Sequence, residues 1–152
     1  MKLSTRGRYA MVALADLAIE ASDGFVSLTE ISERQNISLA YLEQLFVKLR
    51  RAELVEATRG PGGGYRLAKS AEAIRVSDVL QAVDEDIDAL SRGFVLSGGN
   101  SGSRAQSLTN RLWEGLSAQI YVFLHKICLS DIVKNELAPC PAVPNLLRVV
   151  DD

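Results

Sequence analysis

Polar and basic side chains recur along residues 38–51 at positions that would share the outer surface of one helix. Gln44 can form two hydrogen bonds with an adenine edge, and the residues around it can reach bases or phosphates. Along the helix, the outward-facing residues change from small or polar near the N-terminus to basic near the C-terminus. This order predicts a helix that reads duplex DNA. The predicted contact residues are Ser38, Ala40, Tyr41, Gln44, Lys48 and Arg51.

A further cation, Arg59, stands at the entry to a glycine-rich loop, Gly60–Gly64. Glycine supplies the positive φ angles that a hairpin tip needs, and a bare backbone at Gly60 allows close approach to DNA. An arginine at such a tip can enter a narrow minor groove. The loop can alternatively be a flexible connection or a phosphate cradle, but no Gly-Lys-Ser/Thr follows, which disfavours a nucleotide-binding enzyme.

One group of residues near the C-terminus is a candidate metal site. His125 and Cys128 are three residues apart, and Cys140 follows twelve residues later. These side chains can converge on a metal; the alternative, which we favour, is a solvent-facing histidine and two structural thiols. The chain has one histidine, and it has no evident Asp or Ser partner, so we predict no catalytic role.

The predicted DNA-contact residues are positioned by two helices, a tight turn and a hairpin. Leu42, Leu45, Phe46 and Leu49 repeat at i, i+3, i+4, i+7 and predict a helix from about Ala40 to Arg51 with one buried face. Ser38 can cap this helix, and Asn36 suits the left-handed position of the turn that follows a helix at 28–34. Short β-prone runs at 54–58 and 65–67 flank the glycine loop, so the stretch predicts a winged helix-turn-helix.

Other segments are predicted to support this unit. A helix from Thr5 to about Ala21 should back it, with 25–27 as a third extended piece of the wing. Ser77 should cap a helix near 78–83, and the acidic run at 84–88 should be a solvated helix end.

The longest predicted helix runs from about Arg104 to Lys126. It is apolar over more than one face, which a small winged domain cannot cover alone, so we predict that it packs against its twin in a homodimer. Its main apolar side is Leu108, Leu112, Leu116, Ile120 and Phe123, widened by Trp113, Val122 and Leu124.

Charge is distributed unevenly along the chain. The net charge is −2, made up of 11 Lys/Arg against 10 Asp/Glu in residues 1–80 and 6 against 9 in residues 81–152. Phosphate binding needs a local basic patch rather than a basic protein. No signal peptide or membrane-length apolar run is apparent, so we expect a cytoplasmic protein with free thiols.

Three motifs resemble one family closely. Residues 28–38, Tyr41–Phe46 and Arg59–Tyr65 resemble the winged-helix transcription regulators that include the iron–sulfur regulator IscR and the nitric-oxide sensor NsrR, and are nearest the IscR-like members. The resemblance runs from Met1 to about Glu136 and implies a dimeric DNA-binding transcription factor.

The resemblance also implies a cluster site that this chain does not match. Family members with an iron–sulfur cluster hold it with three cysteines before the long helix, and IscR-like ones add a histidine. Ser107 stands at the third cysteine position and Asn110 at the histidine position, and residues 93–101 contain no cysteine. Hydroxyls and amides are poor ligands for these soft centres. Three accounts stay open: no cluster, a cluster on His125, Cys128 and Cys140, or one using an asparagine such as Asn110 with one thiolate.

We therefore expect a mainly α fold with a small β-wing, a winged helix-turn-helix followed by a long dimerisation helix. The expected divisions are 1–84 for DNA binding, 85–106 for a flexible loop, 107–138 for dimerisation and 139–152 for a tail. The expected function is repression of iron–sulfur or iron-handling genes at a palindromic operator. The alternatives are a regulator of another stress, such as nitric oxide or redox, and a winged-helix protein–protein module.

Overall fold

A computed structural model describes residues 4–21, 24–85 and 103–137 of the chain. These residues form a mainly helical fold with one small antiparallel sheet, as predicted. The elements in order are α1 (Thr5–Glu20), α2 (Leu28–Gln35), α3 (Leu39–Arg51), β1 (Val55–Thr58), β2 (Gly64–Leu67), a 3-10 turn (Ala71–Ala73), α4 (Val76–Ala82), α5 (Arg104–Lys126) and α6 (Leu129–Val133).

Side-chain capping defines the junctions around α2 and α3, with Ser38 and Asn36 in their predicted roles. The Ser27 hydroxyl accepts from the Glu30 backbone N–H while the Glu30 carboxylate accepts from the Ser27 N–H, so both free donors are satisfied. Asn36 ends α2 in the left-handed conformation, with φ 52°. Ser38 then caps α3 by accepting from the Tyr41 N–H. Local residue chemistry therefore fixes the angle between the two helices.

One hydrophobic core joins α1, α2, α3 and the wing. The predicted stripe of α3 is fully or almost fully buried, and α1 contributes Leu14 and Leu17 at 0% exposure. Ile31 of α2 and Val55 of β1 complete the contact between layers. α6 returns to pack on α1, which places Leu129 in the same core. The predicted helix-turn-helix thus rests on a scaffold drawn from both ends of the described chain.

The wing is a two-stranded hairpin with one further bridge. β1 pairs antiparallel with β2, with Val55 opposite Leu67 and Thr58 opposite Gly64. Val26 exchanges both backbone hydrogen bonds with Tyr65, at 2.8 and 2.7 Å, so the predicted third extended piece is a single bridge. Gly64 has φ +154°, and a Cβ there would lie 2.4 Å from the Val26 carbonyl oxygen. Glycine is therefore required where the hairpin meets residue 26.

The prediction that Ser77 caps α4 is wrong. Arg75 occupies the N-cap position, and Ser77 is buried, with its hydroxyl 3.0 Å from His125 Nδ1. Val76 N–H donates to the Ile127 carbonyl and Leu129 N–H to the Ile74 carbonyl. A contact between distant segments therefore outcompetes local capping, and it fastens the end of α5 to the body.

The long helix follows the predicted bounds but is mostly exposed. On one side of the helix, Trp113, Ile120 and Leu124 are half-buried and Ser117 is buried. The apolar residues on the other side are exposed to solvent. The exposed fractions are 56% for Leu108, 61% for Leu112, 44% for Leu116 and 62% for Phe123. In the part of the chain that is described, no helix has the length and apolar character needed to span a membrane.

Candidate nucleic-acid interface

The outward face of α3 presents the predicted contact residues to solvent. Ala40, Gln44 and Arg51 are exposed, directly opposite the buried stripe of the same helix. Ser38 is also exposed, although its hydroxyl is engaged in the cap. The helix is thus held firmly on one side and open on the other, which is the arrangement that a groove-reading helix requires.

Tyr41 lies at the flank of this face rather than fully on it. It is half-buried, and its ring meets the Tyr9 ring edge to face with centroids 5.6 Å apart. Tyr9 itself is 37% exposed. Edge-to-face packing with Tyr9 restricts the orientation of the Tyr41 ring. Tyr9 was not among the predicted contact residues.

The wing is clamped to α3 through its core side. Phe46 of α3 packs edge to face on Tyr65 of β2, with centroids 4.8 Å apart. At the other end of the hairpin, Arg59 and Gly60 are exposed, and Gly60 has φ +98°. The position of the arginine-bearing tip is therefore linked to α3 by an aromatic contact.

A buried carboxylate, which was not among the predicted site residues, holds the helix-turn-helix in place. Asp16 is 4% exposed and accepts two hydrogen bonds from Arg34, at 3.0 and 2.7 Å, and one from Gln35 at 2.8 Å. The hydrogen bond from Arg34 is the main reason that the pKa of Asp16 lies below its usual value. The signal was present, because Asp16 interrupts an otherwise apolar helix face. Its partners lie 18 and 19 residues away, so no local pattern identifies them.

Lys48, a predicted phosphate contact, already has an anionic partner. Its ammonium nitrogen lies 2.5 Å from a carboxylate oxygen of Asp84. The hydrogen bond from Lys48 is also the main reason that the pKa of Asp84 is lowered.

The adjacent carboxylate is partnered as well. Glu85 accepts from the backbone N–H of Ser4 at 2.9 Å and of Gly7 at 3.3 Å, and from the Ser4 hydroxyl. Burial raises the pKa of Glu85, but the hydrogen bonds from Ser4 and Gly7 outweigh it and the net shift is downward. The predicted solvated helix end is confirmed for Asp84, whose side chain is 69% exposed, but is wrong for Glu85, which is half-buried against Ser4 and Gly7; Asp86 and Asp88 lie outside the described residues.

The candidate metal ligands are engaged in other contacts. His125 stacks on Tyr121 with centroids 5.6 Å apart, in addition to its contact with Ser77. The Cys128 thiol donates to Asp131 at 2.9 Å, and this bond is the main reason that the pKa of Asp131 is lowered. Cys140 lies outside the described residues.

The family's ligand positions carry no thiol or imidazole. Ser107 is exposed and Asn110 half-buried in the first two turns of α5. Among the described residues, no group of three or more His, Cys, Asp or Glu side chains is arranged to hold a metal ion. The usual cluster ligand set therefore does not fit the part of the chain that is described.

Comparison with known proteins is consistent across sequence and structure. The family model Rrf2, described as iron-dependent transcriptional regulator, matches residues 3–135. The HTH-type transcriptional regulator IscR of Cereibacter sphaeroides is 70% identical over 154 aligned residues, covering 100% of this chain and 99% of that protein. IscR of Yersinia pestis is 50% identical over 136 residues, covering 90% of this chain and 81% of the relative.

Two solved structures share the fold. T. potens IscR superposes with a TM-score of 0.71 at 35% identity, covering 92% of this chain and 94% of that one. CymR, the global cysteine regulator of B. subtilis, superposes with a TM-score of 0.74 at 30% identity, covering 89% and 98%.

Proposed function

This chain belongs to the Rrf2 family of transcriptional regulators, and on that premise we propose that it represses iron–sulfur or iron-handling genes by binding a palindromic operator as a homodimer. The family description and the IscR relatives support the choice of target genes. A regulator of this kind acts in the cytoplasm, where its DNA is.

The observation that carries the proposal is the position of Gln44. It is exposed on α3 directly opposite four buried apolar residues, and the wing is fastened to the same helix through Phe46 and Tyr65. In this proposal Gln44 reads a base edge in the major groove, and Arg59 with Gly60 enters the adjacent minor groove. Lys48 and Arg51 bind phosphates, and Ser38, Ala40 and Tyr41 fit against the backbone or base edges.

The homodimer is supported by the open side of α5. Leu108, Leu112, Leu116 and Phe123 are 44–62% exposed and lie along one side of a helix of 23 residues. A contiguous exposed apolar stripe of this kind typically marks a protein interface. A second copy would bring the same stripe across a two-fold axis, because symmetric dimers use one patch twice. Two α3 helices would then meet two half-sites of a palindrome.

The proposal does not depend on an iron–sulfur cluster. Its usual ligand positions carry Ser107 and Asn110, whose oxygen and amide donors suit soft iron centres poorly.

Competition binding with a systematically mutated operator tests the reading of bases by Gln44. Gln44→Ala should lose about 1–3 kcal/mol of discrimination at one base pair in each half-site and keep the preference elsewhere. Gln81→Ala is a matched control, because Gln81 is exposed on α4 and outside the proposed surface. An unchanged base preference for Gln44→Ala would reject α3 as the recognition helix.

A further inference from the structure

We propose that Asp84 is an intramolecular competitor for the phosphate-binding group of Lys48, so that it lowers the affinity of the protein for DNA of any sequence. The inference rests on the proposed function, because it assigns Lys48 to a DNA phosphate. It adds a residue outside the helix-turn-helix and the wing to the determinants of DNA affinity.

The contact is direct and joins distant parts of the chain. Lys48 lies in the last turn of α3, and Asp84 lies 36 residues later, beyond the end of α4. The ammonium nitrogen and the carboxylate oxygen are 2.5 Å apart, in direct contact as a hydrogen-bonded ion pair. The carboxylate therefore takes one of the three N–H donors of the ammonium group and offsets part of the positive charge that would attract a phosphate oxygen.

The backbone holds Asp84 in this position. Asp84 has φ 56°, a left-handed conformation that Asp and Asn tolerate better than most residues. Its N–H donates to the Gln81 carbonyl, and the next N–H, of Glu85, donates to the Leu80 carbonyl at 2.9 Å. The carboxylate is thus presented from a closed turn rather than from a free chain end.

Glu85 fixes the turn to α1. Its carboxylate accepts from the backbone of Ser4 and Gly7, and its close approach depends on the glycine. A Cβ at residue 7 would lie 3.2 Å from a Glu85 carboxylate oxygen and 2.9 Å from Leu80 Cδ2. Asp84 is therefore anchored on one side by α4 and on the other by α1, while its own side chain stays 69% exposed.

The solvent exposure of the Lys48–Asp84 ion pair limits how much the removal of Asp84 can change the DNA affinity. An exposed ion pair contributes little and is screened by salt, so DNA can displace Asp84 from Lys48. We expect a gain of about two- to fivefold in affinity when the competitor is removed, which should shrink as the salt concentration rises.

The test is fluorescence anisotropy of the full chain with a promoter duplex and an unrelated duplex at several salt concentrations. Asp84→Asn should tighten binding to both duplexes by a similar factor, since phosphate contacts carry no sequence information. Asparagine keeps the left-handed backbone and the shape of the side chain, so the turn should persist. Circular dichroism at the same concentration verifies that the helices are retained.

Two further variants separate competition from a general charge effect. Glu72→Gln also removes one carboxylate from an exposed pair, with Lys134 at 3.5 Å, and should not tighten binding. In a Lys48→Gln background, Asp84→Asn should give no gain, because the competed group is gone. A gain that persists without Lys48, or no gain beyond that of Glu72→Gln, overturns the inference.

The result is distinguishable from failure of the proposed function. If the unaltered chain does not bind duplex DNA, the function is wrong. If it binds and Asp84→Asn binds equally or more weakly, DNA binding stands and only the competition is rejected.

Discussion

The long helix α5 and the body, formed by residues 4–21 and 24–85, have similar hydrophobic patterns but different burial. In α3 the residues spaced i, i+3, i+4, i+7 are all buried, from 0% exposure for Leu42 to 2% for Leu45. In α5 the stripe spaced by four residues from Leu108 to Leu116 remains 44–61% exposed. Periodicity identifies a helix with one apolar side in each case. It does not say whether the side is covered by the same chain or by another one.

The largest effect expected from this difference in burial is on dimer formation. Leu112→Asp combined with Leu116→Asp would place two charges in the proposed interface, so we expect monomers and at least about a hundredfold loss of operator affinity, since one half-site is then lost. Size-exclusion chromatography with light scattering measures the first and anisotropy the second.

A control on the same helix uses the other exposed side. Ser107→Asp with Ala118→Asp adds the same charge at exposed positions about 120–140° around the helix from Leu112. These changes should leave the dimer intact. A dimer that survives the two leucine changes would contradict the assignment of this face.

The next largest effect is expected from replacing one phenylalanine by alanine in the body and, separately, one in α5. Phe46 is fully buried against Tyr65, so Phe46→Ala should lower the free energy of unfolding by about 3–5 kcal/mol. Phe123 is 62% exposed in the single chain, so Phe123→Ala should act mainly on association. Urea unfolding at two protein concentrations should show a concentration-independent loss for Phe46→Ala and a concentration-dependent one for Phe123→Ala. If the two variants showed the same dependence on protein concentration, the assignment of Phe46 to the core and of Phe123 to the interface would be contradicted.

A smaller effect is expected at the buried carboxylate of the body. Because the folded-state pKa of Asp16 lies below its unfolded value of about 3.8, its ionised form favours folding. This contribution is complete above pH 4 to 5 and is lost as the pH falls through the lowered folded-state pKa.

Urea unfolding as a function of pH tests this sign. Asp16→Asn should reduce the free energy of unfolding by about 1–3 kcal/mol at pH 7, and the difference from the original chain should shrink below about pH 4. A difference that stays constant down to pH 3, or grows, would contradict the ionised pairing with Arg34.

Local chemistry was sufficient to predict much of the fold. The cap at Ser38, the left-handed Asn36 and the buried stripe of α3 each depend on residues within a few positions of one another. The bounds of α5 were also predictable, because a long apolar periodicity ends where the residue pattern changes.

What could not be predicted depends on contacts between distant residues. Ser77 has good capping chemistry but is drawn to His125, 48 residues away. Glu85 reaches Ser4 across 81 residues and Lys48 reaches Asp84 across 36. The candidate DNA surface was predictable as a set of side chains, but the partner that Lys48 has in the free protein was not.

The central claim is that the body reads DNA and that α5 pairs two copies of it. Sedimentation velocity of the unaltered chain with a single labelled operator duplex measures the number of chains per duplex directly. We expect two chains on one palindromic operator and a dimer in the absence of DNA. A saturated complex that contains one chain per operator, formed from monomers, would contradict it.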